Sequence, residues 1–500
     1  MLQNIIHTVD EILEKRHIML GILIFLFILS ILPRLYRIDN PIADWHSWRQ
    51  ADTAAITRNF IKEGFTPLFP KFDSLNSLNE NQEPNPHRYF FAEFPIYNII
   101  VYPFYYYFGV NEVYHRAVSV FFASLTTVFL YLLTRKLSGN TTALIAAFFF
   151  AILPYNIYYG RVTMADPLHI FFGVLTLYLV AKWSESKNLI WPILAGLATT
   201  FTILTKPYGL VLGLPIGYML LRGHGLKLFT SPGLYLYAII SFAPFFAWRW
   251  HINQHPEGMF GTTWLYNQGD IRFTGAYFRW ILFDRLNRLI FATGGFVLFF
   301  LGLAKSVTKK EGYIYHVWLA GILVFFVVIA KGNVTHDYYQ LPIVPVGCIL
   351  MARGLVWLIT IGKGFIQNCI NVVVAISLVL MMIGFGWYEV RGYFNVNRSE
   401  IVEIGKVIDE LTPKNAKIIA PYMNDPAFLY QTNRYGWTNG GGLIPFYVKE
   451  GADYLAVVDF DSDSQYWIDR CKIIAESKGR WVLVDVKQCH IEEEVRHESN

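Results

Sequence analysis

The chain has 500 residues, of which 54% are hydrophobic and only 16% charged, against about 25% charged in an ordinary soluble domain. With a mean hydropathy of +0.35 it carries more apolar surface than a soluble enzyme of this length can hide, so the class is integral membrane. A net charge of +5 and 4 cysteines without a CxxC pair exclude a nucleic-acid binder, a disulfide-rich secreted scaffold and a cysteine zinc site.

Helical spans need roughly 20 mostly apolar residues. About eleven are predicted, near residues 17–36, 114–137, 141–159, 168–183, 189–204, 208–221, 234–250, 289–303, 314–330, 339–359 and 370–388. The first is read as a span and not a cleaved signal, because its apolar run is too long and no small-residue cleavage site precedes Arg34 and Arg37. The positive-inside bias puts the N-terminus inside, with Lys15, Arg16, Arg135, Lys136, Lys309, Lys310 and Lys363 in cytoplasmic loops. An odd number of spans then leaves the tail outside. Arg272, Arg279, Arg285 and Arg288 are exceptions on the outer side.

Two stretches are long enough for structure of their own. The first is the outer loop, residues 37–111; loops this long are usually functional. Residues 52–65 read as a helix lying on the membrane, with Ala55, Ile56, Phe60 and Ile61 on its apolar side. Residues 94–108 read as a second interfacial helix, where Tyr102, Tyr105, Tyr106 and Tyr107 suit the membrane–water boundary. Residues 66–87 between them are rich in Pro, Asn and Ser and read as irregular.

The second stretch is the tail. From Asn395 onward there are 17 acids against 12 Lys and Arg, a mildly acidic segment after a basic membrane body. Ile401, Ile404, Ile408 and Leu411 recur at helical spacing, and residues 417–420, 454–460 and 481–486 are β-type runs. The expected organisation is a transmembrane domain over residues 1–392 and a small outer α/β domain over residues 393–500. Cys471 and Cys489 both fall in that domain; their spacing alone does not pair them.

Polar residues gather on the outward ends of the spans. Asp44, His46, Arg49 and Asp52 follow the first span, and Glu93 starts the second interfacial helix. Arg161 and Asp166 flank the third-to-fourth turn, Lys206 opens the sixth span, and Lys331, His336 and Asp337 precede the tenth. Separate segments thus bring carboxylates for proton transfer and cations for an anion to one membrane face. Each has a structural reading too. Asp52 suits a helix cap, Glu93 a helix dipole, Arg161 and Lys206 snorkelling bases, and His336 with Tyr338 and Tyr339 an interfacial belt. Clustering on one face is the stronger argument. A Walker loop, a strand-linked GxGxxG, HExxH and GxSxG are all missing. Asp459, Asp461 and Asp463 read as a solvated turn rather than a nucleotide-sugar site.

The run His46-Ser47-Trp48-Arg49-Gln50-Ala51-Asp52-Thr53-Ala54-Ala55-Ile56-Thr57-Arg58-Asn59-Phe60 resembles the first outer loop of GT-C type glycosyltransferases. More narrowly it resembles the prokaryotic dolichyl-phosphate-mannose protein mannosyltransferase-like group, which includes the lipid A aminoarabinose transferase. Glu93-Phe94-Pro95-Ile96-Tyr97, Arg161-Val162-Thr163-Met164-Ala165-Asp166-Pro167, Leu204-Thr205-Lys206-Pro207 and His336-Asp337-Tyr338-Tyr339-Gln340-Leu341-Pro342 are similar to four further stretches, in the expected order. The likeness covers about the first 360 residues. It departs from the best-known members in one respect: their adjacent Asp-Glu is here a separated Asp44 and Asp52.

The resemblance implies a polytopic α-helical membrane protein of GT-C type, with interfacial helices in its first outer loop. It implies an inverting transferase that moves a sugar from a polyprenyl-phosphate carrier to an envelope glycolipid, glycan or protein, on the extracytoplasmic side of the cell membrane. Asp52 first, or Asp44, is the expected base. Glu93 orients it or meets a sugar hydroxyl. Lys206, Arg161 and Arg49 are expected on the donor phosphate, and His336, Tyr338, Tyr339 and Asp166 along the substrate pocket. The pattern neither demands nor excludes a divalent metal. A flippase of a lipid-linked saccharide is the alternative class, and a non-catalytic assembly partner a third; the long structured loop and the lack of inverted repeats favour the enzyme.

Overall fold

The computed structural model describes residue 8 and residues 10–490; the last ten positions of the expected tail domain lie outside the described residues. A helix stands in every stretch predicted to span. Four of the described helical stretches are long and apolar enough alone to cross a membrane: Arg16–Arg34, Glu112–Ser138, Ile343–Thr360 and the one beginning at Phe365. Two bent pairs add up to two more, Pro207–Thr230 with Pro232–Ile252 at 100° and Gly275–Ile290 with Gly294–Ala304 at 113°. Asn140–Ile152, Ile190–Thr205 and Ile314–Val328 are shorter apolar helices. The architecture is polytopic and helical, with a small sheet domain at the C-terminus.

Close packing sets the bundle. A Cβ on Gly302 would stand 1.7 Å from Leu350 O, and one on Gly354 would stand 2.0 Å from Leu298 O. Glycine there lets Gly294–Ala304 and Ile343–Thr360 touch backbone to backbone, the usual route to tight association in lipid.

The loop of residues 37–111 departs from expectation in one way. Its first helix, Ser47–Lys62, begins five residues earlier than predicted and is buried on nearly every side from Arg49 to Phe60. Ala51, Ala54, Ala55, Ile56 and Phe60 pack in one core with Ile401, Ile404, Ile418 and Phe428 of the tail. The apolar side read as membrane-facing is covered by protein. The second helix, Ile96–Phe108, does expose an aromatic end at Tyr106, Tyr107 and Phe108.

The tail opens with helix Ser399–Leu411. Five strands follow: β1 (Lys417–Ile419), β2 (Tyr435–Trp437), β3 (Tyr454–Val457), β4 (Cys471–Ser477) and β5 (Trp481–Cys489), in the order β2-β1-β3-β5-β4. β1 is parallel to β2 and β3, and β5 is antiparallel to β3 and β4. Cys471 and Cys489 are joined by a disulfide. The outer loop adds to the free edge of β2: Leu75 N donates to Gly436 O at 2.7 Å, and Gly436 N donates to Asp73 O at 3.1 Å. Asp461 caps helix Ser462–Arg470 through Ser464 N, so the acidic run there is a helix start.

Candidate active site

Three linked polar clusters lie where the loop of residues 37–111 meets the ends of the apolar helices. The first locks the loop down. Arg161 Nη2 donates to Asp44 Oδ2 at 2.7 Å, Arg116 stands 3.5 Å from the same oxygen, and Gln50 Nε2 donates to Oδ1 at 2.6 Å. The Asp44 and Arg161 side chains have no solvent exposure. Arg161 also donates to Arg37 O at 2.6 Å, and Gln50 Oε1 accepts from Thr163 N at 3.1 Å. Buried charges survive only when paired and hydrogen-bonded, and these are both. Asp44 and Arg161 therefore satisfy one another. The expected free carboxylate at Asp44 and free cation at Arg161 are not what the geometry provides.

The second cluster holds Arg49, Glu93, Lys206 and Asp166. Arg49 sits on the first turn of Ser47–Lys62, and its Nη2 is 2.6 Å from both Glu93 oxygens. Lys206 follows helix Ile190–Thr205 in extended backbone, with Pro207 starting the next turn. Its Nζ is 3.7 Å from Glu93 Oε2 and 3.7 Å from Asp166 Oδ2. Both distances exceed a hydrogen bond, so among the described residues the ammonium is held by charge with its N–H groups uncommitted. Asp166 opens helix Asp166–Trp183 and accepts from Tyr208 OH at 3.2 Å. Asp52, one turn beyond Arg49, is buried and makes no hydrogen bond or ion pair among the described residues. Burial lifts its carboxyl well above the usual range; Arg49 opposes that, while Asp425, Asp73 and Glu93 add to it.

The third cluster centres on Asp337. Its carboxylate accepts from four side chains: His46 Nε2 at 2.5 Å, Tyr159 OH at 2.5 Å, Tyr393 OH at 2.7 Å and Trp45 Nε1 at 3.2 Å. Burial alone would raise it, yet these donors, His46 first, hold it below the usual carboxylate range. Trp48 Nε1 donates to His46 Nδ1 at 3.2 Å. His336 stacks on Tyr338 at 5.3 Å and meets the rings of Trp48 and Trp264 at 5.3 and 5.7 Å. Burial takes His336 down to about 4, so it is neutral near pH 7. Tyr338 lies 5.2 Å from the His46 ring and Tyr339 lies 6.4 Å from Tyr208, which joins this cluster to the second.

The tail reaches the same place. Asp425 Oδ1 caps helix Pro426–Gln431 through Ala427 N at 2.7 Å, and Oδ2 accepts from Ser47 Oγ at 3.3 Å. Burial raises its pKa to about 6.

Glu93, Arg49, Lys206, Asp166 and Asp52 are thus brought together, with Tyr338 and Tyr339 alongside and His336 at the rim. Sequence reasoning missed Arg116, Tyr159, Tyr393 and Asp425, and gave no site role to His46 or Asp337. Both of the latter stand inside the quoted runs, so the signal was present; the others read as ordinary span or tail residues. Among the described residues no group of three or more His, Cys, Asp or Glu is placed to hold a metal ion.

Residues 85–251 match the family described as dolichyl-phosphate-mannose-protein mannosyltransferase. No curated protein matches the chain in sequence. Among solved structures it is similar to ArnT from Cupriavidus metallidurans bound to undecaprenyl phosphate, with a TM-score of 0.63 at 14% identity, over 93% of this chain and 98% of that one. It is also similar to the Archaeoglobus fulgidus oligosaccharyltransferase, with a TM-score of 0.57 at 12% identity over 89% and 70% of the two chains. A complex of that archaeal enzyme, AglB, with an inhibitory peptide and a dolichol-phosphate gives 0.55 at 10% identity over 87% and 69%. The chain has the GT-C fold of these glycosyltransferases, as the resemblance in its sequence implied.

Proposed function

We propose that the chain is a membrane glycosyltransferase that moves a sugar from a polyprenyl-phosphate carrier to a hydroxyl of an envelope lipid, glycan or protein, with inversion at the anomeric carbon and on the extracytoplasmic side. The observation that carries this reading is the pair of cations at the second cluster. Arg49 is positioned by Glu93, and Lys206 stands between two carboxylates with its N–H groups free among the described residues. Such a pair suits a phosphate that gathers charge as the sugar departs. Support also comes from the relatives: ArnT was solved with undecaprenyl phosphate and AglB with dolichol-phosphate.

Glu93 and Asp166 orient the two cations, and Tyr338, Tyr339 and His336 wall the sugar. Asp52 is the carboxyl at the reacting centre. It is buried beside Arg49 with no hydrogen-bond or ion-pair partner among the described residues, so it is open to the attacking hydroxyl as base or as hydrogen-bond partner. The test is release of polyprenyl monophosphate from sugar-loaded carriers by purified protein in vesicles, wild type beside Asp52→Asn. A flippase would move the carrier across the bilayer and release none.

A further inference from the structure

The transfer needs a proton acceptor, and neither carboxyl of the first loop is a ready one. Asp44 is spent on two arginines and Gln50, out of reach of solvent. Asp52 is a buried carboxyl, and burial, with Asp425, Asp73 and Glu93 adding to it and Arg49 opposing, disfavours its ionised form.

His46 is differently placed. It precedes the first turn of Ser47–Lys62 in a left-handed conformation, φ +54°, which few residues other than glycine adopt without a local reason. One ring nitrogen, Nε2, points to Asp337 at 2.5 Å. The other, Nδ1, faces the indole N–H of Trp48 at 3.2 Å. An indole only donates, so Nδ1 carries the lone pair and the proton is on Nε2. That is an oriented neutral imidazole backed by an ionised carboxylate, the arrangement that lets a histidine take a proton and hold the resulting charge. Asp337 is fixed in turn by Tyr159, Tyr393 and Trp45. His46 and Trp48 are only partly buried, so a substrate hydroxyl can reach Nδ1 by displacing Trp48.

Placement relative to the cations fits as well. His46 and Arg49 are three residues apart where helix Ser47–Lys62 begins. Tyr338 packs on the His46 ring at 5.2 Å. The donor phosphate proposed on Arg49 and Lys206 is therefore close to His46, along the chain through Arg49 and in space through Tyr338.

We propose that His46, held by Asp337, is the general base of the transfer. The proposal rests on the transferase reading and leaves Asp52 as hydrogen-bond partner of the reacting groups. The acceptor O–H breaks and its proton goes to His46 Nδ1. The oxygen forms the new bond to the anomeric carbon, and the bond from that carbon to the phosphate oxygen breaks with its electron pair on the phosphate. The imidazolium faces Asp337 and later returns its proton to water. Trp48 N–H occupies the position of the acceptor hydroxyl in the resting site.

The groups facing His46 are Asp337, His336, Tyr338 and Tyr159, with Asp425 from the tail and Arg49 on its own helix. The experiment measures monophosphate release against pH for wild type, His46→Gln, His46→Ala, Trp48→Phe and Asp52→Asn. His46→Gln is expected to lower kcat about 10²- to 10⁴-fold with donor KM nearly unchanged, and to abolish the acid limb of the kcat/KM profile. Added imidazole is expected to restore part of the His46→Ala rate, which a purely structural role would not allow. Trp48→Phe, which stays informative if the His46 variants fold poorly, keeps the acid limb and lowers the acceptor KM. Turnover by His46→Gln within threefold of wild type, an acid limb that survives it, or loss of the limb in Trp48→Phe would each overturn the proposal, and the first together with a dead Asp52→Asn would return the base to Asp52. Wild type that releases no monophosphate from any donor would contradict the transferase reading itself.

Discussion

Arg49 Nη2 stands 2.6 Å from both carboxylate oxygens of Glu93, while Lys206 stays 3.7 Å from the same group. One cation is fixed and the other is held loosely between two acids. Lys206→Met keeps the length of the side chain and removes the charge. Turnover should fall about 10²- to 10³-fold, the usual cost of losing one charge-stabilising donor. Steady-state release of polyprenyl monophosphate checks it, and a rate within threefold of wild type would remove Lys206 from the phosphate site.

Asp44 predicts a stability effect instead. Asp44→Asn leaves Arg161 and Arg116 buried without their carboxylate, a change that costs about 3–5 kcal/mol in comparable pairs. Thermal unfolding in detergent should show a clear loss, and Asp44→Asn with Arg161→Met should recover part of it. A variant that melts like wild type but no longer turns over would instead assign Asp44 to the chemistry.

The spans were legible because a bilayer demands long apolar runs, and the strands Lys417–Ile419, Tyr454–Val457 and Trp481–Cys489 because their β-branched residues stand between turns. Strands Tyr435–Trp437 and Cys471–Ser477 were not, since the first has a glycine at its centre and no β-branched residue, and the second breaks its apolar run with Lys472, Glu476 and Ser477. Arg49, Glu93, Asp166 and Lys206 were legible as polar residues on one face. What stayed hidden depends on contacts between distant segments. Arg58 bonds Tyr430 O across 372 residues, and Tyr393 reaches Asp337 across 56; no periodicity encodes either. The burial of Ser47–Lys62 under the tail has the same origin.

Asp425 gives a pH prediction with a definite sign. Its folded pKa of about 6 lies above the unfolded value of about 3.9. The stability it confers is complete below about pH 4 and is lost as pH rises through 6, by on the order of 3 kcal/mol at most. Asp425→Asn still caps Pro426–Gln431, since Asn caps as well as Asp. It should therefore raise the melting temperature at pH 7.5 and leave it unchanged at pH 4. A variant less stable than wild type at pH 7.5 would contradict this.

The cysteines test which side the tail occupies. Cys471 and Cys489 are paired, Cys348 is buried and Cys369 is exposed. In intact cells a membrane-impermeant maleimide should label Cys471 and Cys489 only after reduction, without permeabilisation. Labelling that requires a permeabilised membrane would place the tail inside.

Release of the carrier phosphate tests transfer most directly. Purified protein in vesicles is given a panel of sugar-loaded polyprenyl phosphates and a crude envelope acceptor, and polyprenyl monophosphate is measured. Release from at least one donor, dependent on acceptor and lost in Lys206→Met, is the predicted result. No release from any donor, with the lipid-linked sugar found in the opposite leaflet, would contradict it and make these clusters the binding site of a transporter.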